Sequence, residues 1–505
     1  MNFKSILKTT LSLLLLGSLF ISCDNDDSTS STPTAPSVSA PSSQNGLVGV
    51  SVDLTFNITA SGGFASATAT AENGSASILS QPSTGATSGS VVVNYTPNDV
   101  GAGSVTVMVN DADGLSDDAT AVVTVTAEET TIRVVDNITS DTTWESGKVY
   151  ILGGRITVEA GATLTIEGGT IVKGEAGTQQ NATALLVARD GTLNANGTAD
   201  APIIFTSFAD EITPEQVASG DFTSPNLDPN ISGLWGGVIV LGNAPISASN
   251  EGGDINEVQI EGIPTSDSNG LYGGNDPNDS SGSITYISIR HGGSNIGEGN
   301  EINGLTLGGV GDGTVIENIE IVANQDDGVE WFGGTVNVSN VLVWNSGDDA
   351  IDTDQAWSGT VDNMLIVSPG DSPYELDGPE GSFTSTGHTI TNATVFVSGN
   401  GAEEMIDVDD NSDLFMSNIL LFGLEEGNII SSDYPEFAAN ENGYSITSIE
   451  VVLPEGSAVA DFFPEGLIPE VTAIGSVGEA TVGADVSVFG WTWARQSDAL
   501  DGLGI

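Results

Sequence analysis

The chain has 505 residues, of which 69 are acidic and only 9 are basic, so its formal net charge is −60 at pH 7. A surface with that charge repels nucleic acids and anionic membranes, which excludes functions that depend on a basic patch. Small cations are the partners that this composition favours. The single cysteine excludes an internal disulfide.

Residues 1–22 have the pattern of a secretory signal peptide. Two lysines precede the apolar run Leu11–Ile21, which is too short for a membrane-spanning helix of about 20 residues. The run ends in "FISC", which resembles a lipobox and implies cleavage before Cys23 and attachment of a lipid to it. The acidic residues that follow are similar to the export tag of surface-exposed Bacteroidota-type lipoproteins. We therefore expect a lipid-anchored outer-membrane protein that faces the cell exterior.

Two further segments precede the main repeat. Residues 23–45 are mostly Ser, Thr, Pro, Ala and Asp, which predicts a flexible stalk. Residues 46–127 alternate apolar and polar residues in short runs, which predicts a small β-sandwich. The run "YTPNDVGAGSVTVMVNDADG" resembles the late strands of immunoglobulin-like or cadherin-like domains. Its Asn110, Asp111 and Asp113 have oxygen ligands that suit calcium, but an ordinary Asp/Gly turn is favoured for them.

Residues 128–470 consist of strand-length runs that glycines interrupt at regular intervals. One constant spacing aligns Ile316 with Val338 and Asn318 with Asn340. A repeat period of about 22 residues predicts a right-handed parallel β-helix, in which each coil supplies three short strands. The aligned asparagines are expected to point inward at a bend and to bond the backbone of neighbouring coils. A leucine-rich repeat has a similar period, but the later coils lack the second apolar arc that it needs.

The predicted fold class is therefore all-β, an immunoglobulin-like sandwich followed by a solenoid. We expect residues 471–505 to cover the open end of the β-helix, because an uncapped coil exposes strand edges. The stretch Glu301–Thr360, with "GLWGGVIVLGNAPI" and "FGWTWA", resembles a family of Bacteroidota-type secreted or lipid-anchored β-helix proteins. The likeness covers Thr131 to the C-terminus. It implies fold and location rather than an activity, so it supplies no catalytic residue.

Pairs of adjacent carboxylates occur in "NQDDGVEW" and again, one repeat later, in "SGDDAIDT". Coils stack about 4.8 Å apart, and two carboxylates at that spacing repel by about 3 to 4 kcal/mol at an effective dielectric constant of about 20. No lysine or arginine occurs between Arg290 and Arg495 to neutralise them. We predict columns formed by Asp326, Asp348 and Asp371, by Asp327 and Asp349, and by Glu330, Asp352 and Glu375.

A calcium ion is the simplest neutraliser, because Ca²⁺ prefers oxygen ligands. We predict a structural Ca²⁺ site formed by Asp326, Asp327, Asp348, Asp349 and Asp352, which would clamp adjacent coils. A solvated acidic face without metal is an equally weighted alternative.

An enzymatic interpretation has partial support. "NQDDG", "GDDAID" and "TGHT" are similar to elements of polygalacturonase-type glycoside hydrolases, which pair a carboxylic acid with carboxylates that activate water. The catalytic candidates are Asp326, Asp348 and Asp349, with His388 in support. The basic element that grips uronates is missing, however, and a lyase would need a base for which only His291 and His388 are available.

The remaining conspicuous residues are tryptophans. Trp331, Trp344 and Trp357 could stack on sugar rings, although packing in the core of the helix is favoured. The sequence thus predicts a surface lipoprotein with a non-catalytic role, either binding a glycan or another extracellular ligand or serving as an outer-membrane accessory subunit. A polysaccharide-degrading enzyme is the alternative.

Overall fold

The computed structural model describes residues 32–178, 181–294, 302–397, 404–439 and 444–505. The predicted signal peptide and the lipid-attachment residue Cys23 lie outside these ranges. The described chain falls into two compact units, which divide between Glu129 and Thr130. Within the described ranges, no helix has both the length and the apolar content that crossing a bilayer requires.

The N-terminal unit is a β-sandwich of two four-stranded sheets, with strand orders β1-β3-β6-β5 and β2-β8-β7-β4. Alternate residues of its strands are buried between the sheets, such as Leu54, Phe56 and Ile58 in β3. This arrangement is compatible with the predicted immunoglobulin-like domain. The strands are β1 (Ser37–Ser39), β2 (Gln44–Leu47), β3 (Val52–Thr59), β4 (Phe64–Glu72), β5 (Gly74–Ser80), β6 (Ser88–Pro97), β7 (Gly101–Asp111) and β8 (Ser116–Thr126).

The boundary of the sandwich differs from our prediction. Strand β1 pairs with β3, although it lies within the segment 23–45 that we predicted to be a stalk. Short polar strands of this kind carry too few apolar residues to be recognised without their partner strand.

The second unit is the parallel β-helix that the sequence predicts. Its early strands are β9 (Thr131–Val134), β10 (Thr142–Trp144), β11 (Val149–Leu152), β12 (Arg155–Val158), β13 (Thr163–Glu167), β14 (Ile171–Gly174), β15 (Ala184–Val187), β16 (Thr192–Asn196), β17 (Ile203–Ser207) and β18 (Val238–Leu241). An insertion follows, with the hairpins β19 (Ala248–Asn250) with β20 (Gly253–Ile255) and β21 (Val258–Gln259) with β22 (Leu271–Tyr272).

The later strands repeat most regularly. They are β23 (Gly282–Arg290), β24 (Leu305–Gly308), β25 (Val315–Val322), β26 (Val329–Phe332), β27 (Val338–Trp344), β28 (Ile351–Asp354), β29 (Thr360–Val367), β30 (Tyr374–Leu376), β31 (His388–Phe396), β32 (Asp407–Val408), β33 (Leu414–Phe422), β34 (Ser445–Val452) and β35 (Val471–Ile474). The helices are short: α1 (Pro214–Ala218), α2 (Tyr434–Ala439), α3 (Trp493–Gln496), and 3-10 turns at Ser268–Gly270, Val459–Asp461, Ile468–Glu470, Val477–Glu479 and Val486–Phe489.

These strands form two long parallel sheets. Among the described residues, the large sheet has fifteen strands and the small sheet has eight, in the order β12-β15-β18-β24-β26-β28-β30-β32. Ile316 pairs with Val338 and Val338 with Val361, which confirms the predicted period. Because successive residues of a strand point to opposite faces, alternate aliphatic residues fill the tube, as Ile319 and Ile321 do.

The aligned asparagines bend each long strand, so a coil contains the three strands that we predicted. Each has a positive φ, between 57° and 65°. The Asn340 amide donates to Asn318 Oδ1 at 3.1 Å, and the Asn363 amide donates to Asn340 Oδ1 at 2.7 Å. Our expectation of an inward ladder was wrong, because Asn363 Oδ1 accepts from the backbone of Asp485, in a segment that lies outside the tube. The five aligned asparagines are Asn318, Asn340, Asn363, Asn392 and Asn418. Asn418 donates to Asn392, whose own amide donates to Asp362.

The C-terminal segment is not the end cap that we predicted for residues 471–505. Only β35 extends the large sheet, and the rest of the segment runs back along the outer face of that sheet. Backbone amides of Thr481 and Ala494 donate to Glu450 and Glu320, which lie on strands at opposite ends of this path. The C-terminal end of the tube is closed instead by side chains of residues 424–467, namely Leu424, Ile430, Tyr434, Phe437, Phe462, Phe463 and Leu467.

Candidate cation site

The small sheet places acidic residues in register on its outer face. Glu330 on β26 pairs with Asp352 on β28, which pairs with Glu375 on β30 and then with Asp407 on β32. The neighbouring residue Trp331 points the other way, into the core. Because successive residues of a strand point to opposite faces, alternate residues enter the core and the carboxylates stack on the other face. The repeat in the sequence predicted this stacking.

A second set of carboxylates lies in the turn before each of these strands. Asp327 Oδ1 accepts from the backbone amide of Asp349 at 3.0 Å, and Asp349 Oδ1 accepts from that of Ser372 at 2.6 Å. Both aspartates are buried. Each therefore holds the next coil through one oxygen, and this explains why an acidic residue recurs at this place in the repeat.

Two groups of carboxylates could each hold one cation, and they share Asp327. In each group the three ligand oxygens lie within 4.8 Å of one another. The inner group is buried and the outer group is more accessible, since Asp326 is half-buried and Asp348 is exposed. The outer group is Asp326, Asp327 and Asp348, and the inner group is Asp327, Glu330 and Asp352.

The structure thus brings together four of the five residues that we predicted for calcium. Asp349 is in neither group of three, because its carboxylate bonds the amide of Ser372 and the side chain of Glu375. Glu330 was absent from our predicted ligands, although its column was recognisable. Asn303 was missed altogether. It precedes β24 as Asp327 precedes β26, and its side-chain amide donates to Glu330.

Two buried oxygens at the inner group have no hydrogen-bond partner among the described residues. They are Asp352 Oδ1 and Asn303 Oδ1. Leaving a buried polar atom unsatisfied costs about 1 to 3 kcal/mol, and more when the group is charged. No lysine or arginine occurs in the sequence between Arg290 and Arg495. An amino-acid cation from this part of the chain therefore cannot satisfy these oxygens.

The electrostatics of the cluster reflect this lack of counter-charge. Burial raises the pKa values of Asp327, Glu330 and Asp352 well above the usual range for a carboxyl group, and neighbouring carboxylates raise them further. Burial, together with Glu375, raises the pKa of Asp349 to about 9. Asp354 follows Asp352 by two residues on β28, and burial raises its pKa to about 8.

The insertion between β18 and β23 contributes to the burial of the cluster. Ile246 and Tyr272 from this insertion pack against Phe332 beside the acidic columns. The Tyr272 hydroxyl donates to Gln355, whose amide donates to Glu380. The same insertion supplies a further carboxylate, Glu261, which accepts from the Asn303 amide at 3.3 Å.

The predicted supporting histidine is not part of this site. His388 is buried in the tube, where its ring stacks on Trp357 at 5.4 Å, and burial lowers its pKa to about 4. The other histidine, His291, is also buried and bonds the carbonyl of Ile231 through Nδ1. Neither imidazole reaches the acidic face of the small sheet, so neither supplies a base there.

The three tryptophans proposed to stack on a ligand are all buried. Trp331 and Trp357 stack on each other in the core with ring centroids 4.7 Å apart. Trp344 lies on the outer face of the large sheet but is covered by Trp493 from the C-terminal segment. Core packing, the interpretation that we favoured, is what the structure shows. None of the three is available to a sugar ring.

Comparison with known proteins identifies the fold family. The model of the pectate-lyase-like β-helix domain matches residues 136–461, which is more than half of the chain. The chain belongs to this family. No curated protein matches the chain. A solved structure of a mutant SrpA adhesin from Streptococcus sanguinis is 18% identical over 22% of this chain and 70% of its own, but its TM-score of 0.17 supports no structural argument.

Proposed function

We propose that this protein is a calcium-stabilised β-helix, lipid-anchored through Cys23 and displayed on the outer membrane, with a non-catalytic role. That role is binding of an extracellular ligand, such as a glycan or an outer-membrane protein partner. The observation that carries the calcium assignment is the buried inner group, where Asp327, Glu330 and Asp352 converge within 4.8 Å. A divalent cation there would satisfy Asp352 Oδ1 and replace mutual repulsion by attraction.

The ligand set suits Ca²⁺ better than a softer metal. Carboxylate and amide oxygens surround the inner group, and the two buried histidines lie elsewhere. Oxygen-only sites select calcium, magnesium or manganese, and calcium tolerates irregular geometry best. Because Asp327, Glu330 and Asp352 come from two successive coils, a bound ion would clamp those coils together.

The non-catalytic assignment is supported by the positions of the other candidates. A lyase needs a base, and both histidines are buried away from the acids. A glycan-binding surface would have to use groups other than Trp331, Trp344 and Trp357, which are internal.

A polysaccharide-degrading hydrolase is the second candidate, and one observation favours it. Asp348 is exposed and lies next in sequence to Asp349, whose pKa of about 9 would keep it protonated as a general acid requires. In that case Asp326 and Asp348, on the more accessible side of the cluster, would be the carboxylates that activate water.

Isothermal titration with Ca²⁺ tests the proposal directly. We expect the wild-type chain to bind calcium and to release protons, because carboxyl groups with raised pKa values must ionise to ligate. The double variant Asp327→Asn, Asp352→Asn should lose the binding at the inner group and so bind fewer ions per chain. Asp312→Asn, at an exposed turn of the same unit, should retain it. Equal binding by all three proteins would refute the assignment.

A depolymerisation screen against acidic and neutral polysaccharides separates the two candidate functions. The non-catalytic role predicts no reducing ends above the level of Asp348→Asn. Activity that this variant abolishes, in a protein that still melts like wild type, would establish the hydrolase instead.

A further inference from the structure

The sandwich contains a second acidic feature, which is independent of the β-helix. The hairpin between β7 and β8 has the sequence Asp111-Ala-Asp113-Gly-Leu115. Its backbone closes on itself, because the amide of Asp111 donates to the carbonyl of Leu115 at 2.9 Å. The Ala112 amide donates to the carbonyl of Gly63, so the hairpin is fixed against the loop before β4.

Asp111 is buried far more deeply than an ordinary turn requires. Only 3% of its surface is exposed. One carboxylate oxygen, Oδ1, accepts from the Leu115 amide at 2.8 Å, as in an ordinary Asp turn. The other oxygen, Oδ2, is buried and has no hydrogen-bond partner in the part of the chain that the structure describes. A turn explains the first oxygen and leaves the second unexplained.

A second carboxylate oxygen lies close to this one. A Cβ atom built on Gly62 would lie 3.0 Å from Asp111 Oδ2 and 2.5 Å from Asp113 Oδ2. Both oxygens therefore face the same small space, which a side chain at residue 62 would fill. Asn110, which the sequence grouped with them, does not take part, since its amide contacts Ser66 on the neighbouring strand.

No lysine, arginine or histidine side chain from the described part of this unit can neutralise the pair. Residues 9–132 contain no lysine, arginine or histidine. A buried carboxylate without a counter-charge pays a large desolvation cost. A pair of carboxylates offers the oxygen ligands that a hard divalent cation prefers.

We propose that the β7–β8 hairpin binds one divalent cation, of the calcium type, between the carboxylates of Asp111 and Asp113. This site does not depend on the proposed function of the β-helix. With two carboxylates it resembles weak extracellular calcium modules, whose dissociation constants are about 10⁻⁴ to 10⁻³ M. The ion would fix the hairpin to the loop that contains Gly62.

Two measurements on the full chain test this site. Equilibrium dialysis in 5 mM Ca²⁺ followed by elemental analysis counts bound ions, and hydrogen exchange read by mass spectrometry locates them. We expect Asp111→Asn to bind one ion fewer per chain than wild type. Calcium should slow exchange of the peptide that spans Asp111–Leu115 in wild type and leave it unchanged in this variant. Asp118→Asn, an equal charge change at an exposed position of the same hairpin, should behave as wild type.

The variant Gly62→Ala tests the same site in case Asp111→Asn does not fold. It keeps both carboxylates and the Asp111–Leu115 bond, and it places a methyl group where the ion would lie. We expect it to lose the same ion and the same protection. An unchanged ion count in both variants, or exchange of this hairpin that calcium does not alter in wild type, would overturn the proposal. Since the β-helix site would still bind in these variants, failure here is distinguishable from failure there.

Discussion

The two outward faces of the β-helix are both covered by the protein's own chain, but their chemistry is opposite. On the large sheet, Val322, Leu342 and Trp344 pack against Phe489 and Trp493 of the C-terminal segment. On the small sheet, apolar residues such as Phe332 are covered by the insertion, but the later coils bury carboxylates beside them, among them Glu330 and Asp352. Apolar burial stabilises the first face, and its buried carboxylate Glu320 has Arg290 as a counter-charge at 3.6 Å. The buried carboxylates of the second face need protons or a bound cation to offset their repulsion. The first face is therefore stable without a ligand, whereas the second is suited to bind an ion.

The largest expected effect is at the apolar face. Trp493→Ala removes a buried ring that lies 5.8 Å from the Trp344 ring and 5.0 Å from the Arg290 guanidinium. Truncation of a buried tryptophan lowers the free energy of unfolding by about 3 to 5 kcal/mol. Chemical denaturation should show this loss equally in EDTA and in calcium. A loss that appears in only one of the two conditions would show that the faces are coupled.

The next effect is a pH dependence confined to the acidic face. The pKa values of Asp377, Asp354 and Asp349 are raised to about 7, 8 and 9, mainly by burial. A carboxyl whose folded pKa is raised stabilises the fold while protonated, so this stability falls as pH rises from about 4 toward the folded values. In EDTA, the melting temperature should therefore fall between pH 5 and pH 9.

The double variant Asp349→Asn, Asp354→Asn supplies the control for this pH dependence. It should flatten the decline, since amides do not titrate. A wild-type melting temperature that rises over the same pH range would contradict the account.

The smallest effect concerns the asparagine ladder, which bends the long strands of the large sheet. Asn340 has a φ of 57°, and a residue other than Gly, Asn or Asp costs about 1 to 2 kcal/mol in this conformation. Asn340→Ala should lower the free energy of unfolding by about that amount, with or without calcium. Asn340→Gly keeps the backbone conformation and should lose less. Equal losses would assign the stability to the side-chain bonds instead.

Much of this architecture could be predicted from the sequence. The spacing between Ile316 and Val338 gives the register of β25 and β27, because stacking coils must align their aliphatic residues. The column Glu330, Asp352 and Glu375 follows from the same repeat. Periodicity therefore predicts what repeats.

Features that depend on non-repeating chain could not be predicted in this way. The C-terminal segment lies along the side of the tube because an apolar stripe, including Val322, needs cover there. The sequence does not distinguish that stripe, because the inward-facing residues of the same strands are apolar as well. Likewise, Asn303 joins the site from a coil whose turn has an amide in place of the acid, and burial by the insertion around Tyr272 has no local signal.

The most direct test of the cation account is the melting temperature of wild type and Asp352→Asn at pH 8, each in EDTA and in millimolar Ca²⁺. In EDTA the variant should melt higher than wild type, because it removes a buried carboxylate whose pKa is raised by burial and repulsion. Calcium should raise the melting temperature of wild type by more than that of the variant, since an ion at a hundredfold excess over its Kd adds about 2.7 kcal/mol to the free energy of unfolding. In calcium, the wild type should therefore melt higher than the variant. A variant that melts lower in both conditions, with the same response to calcium, would contradict a cation site at Asp352.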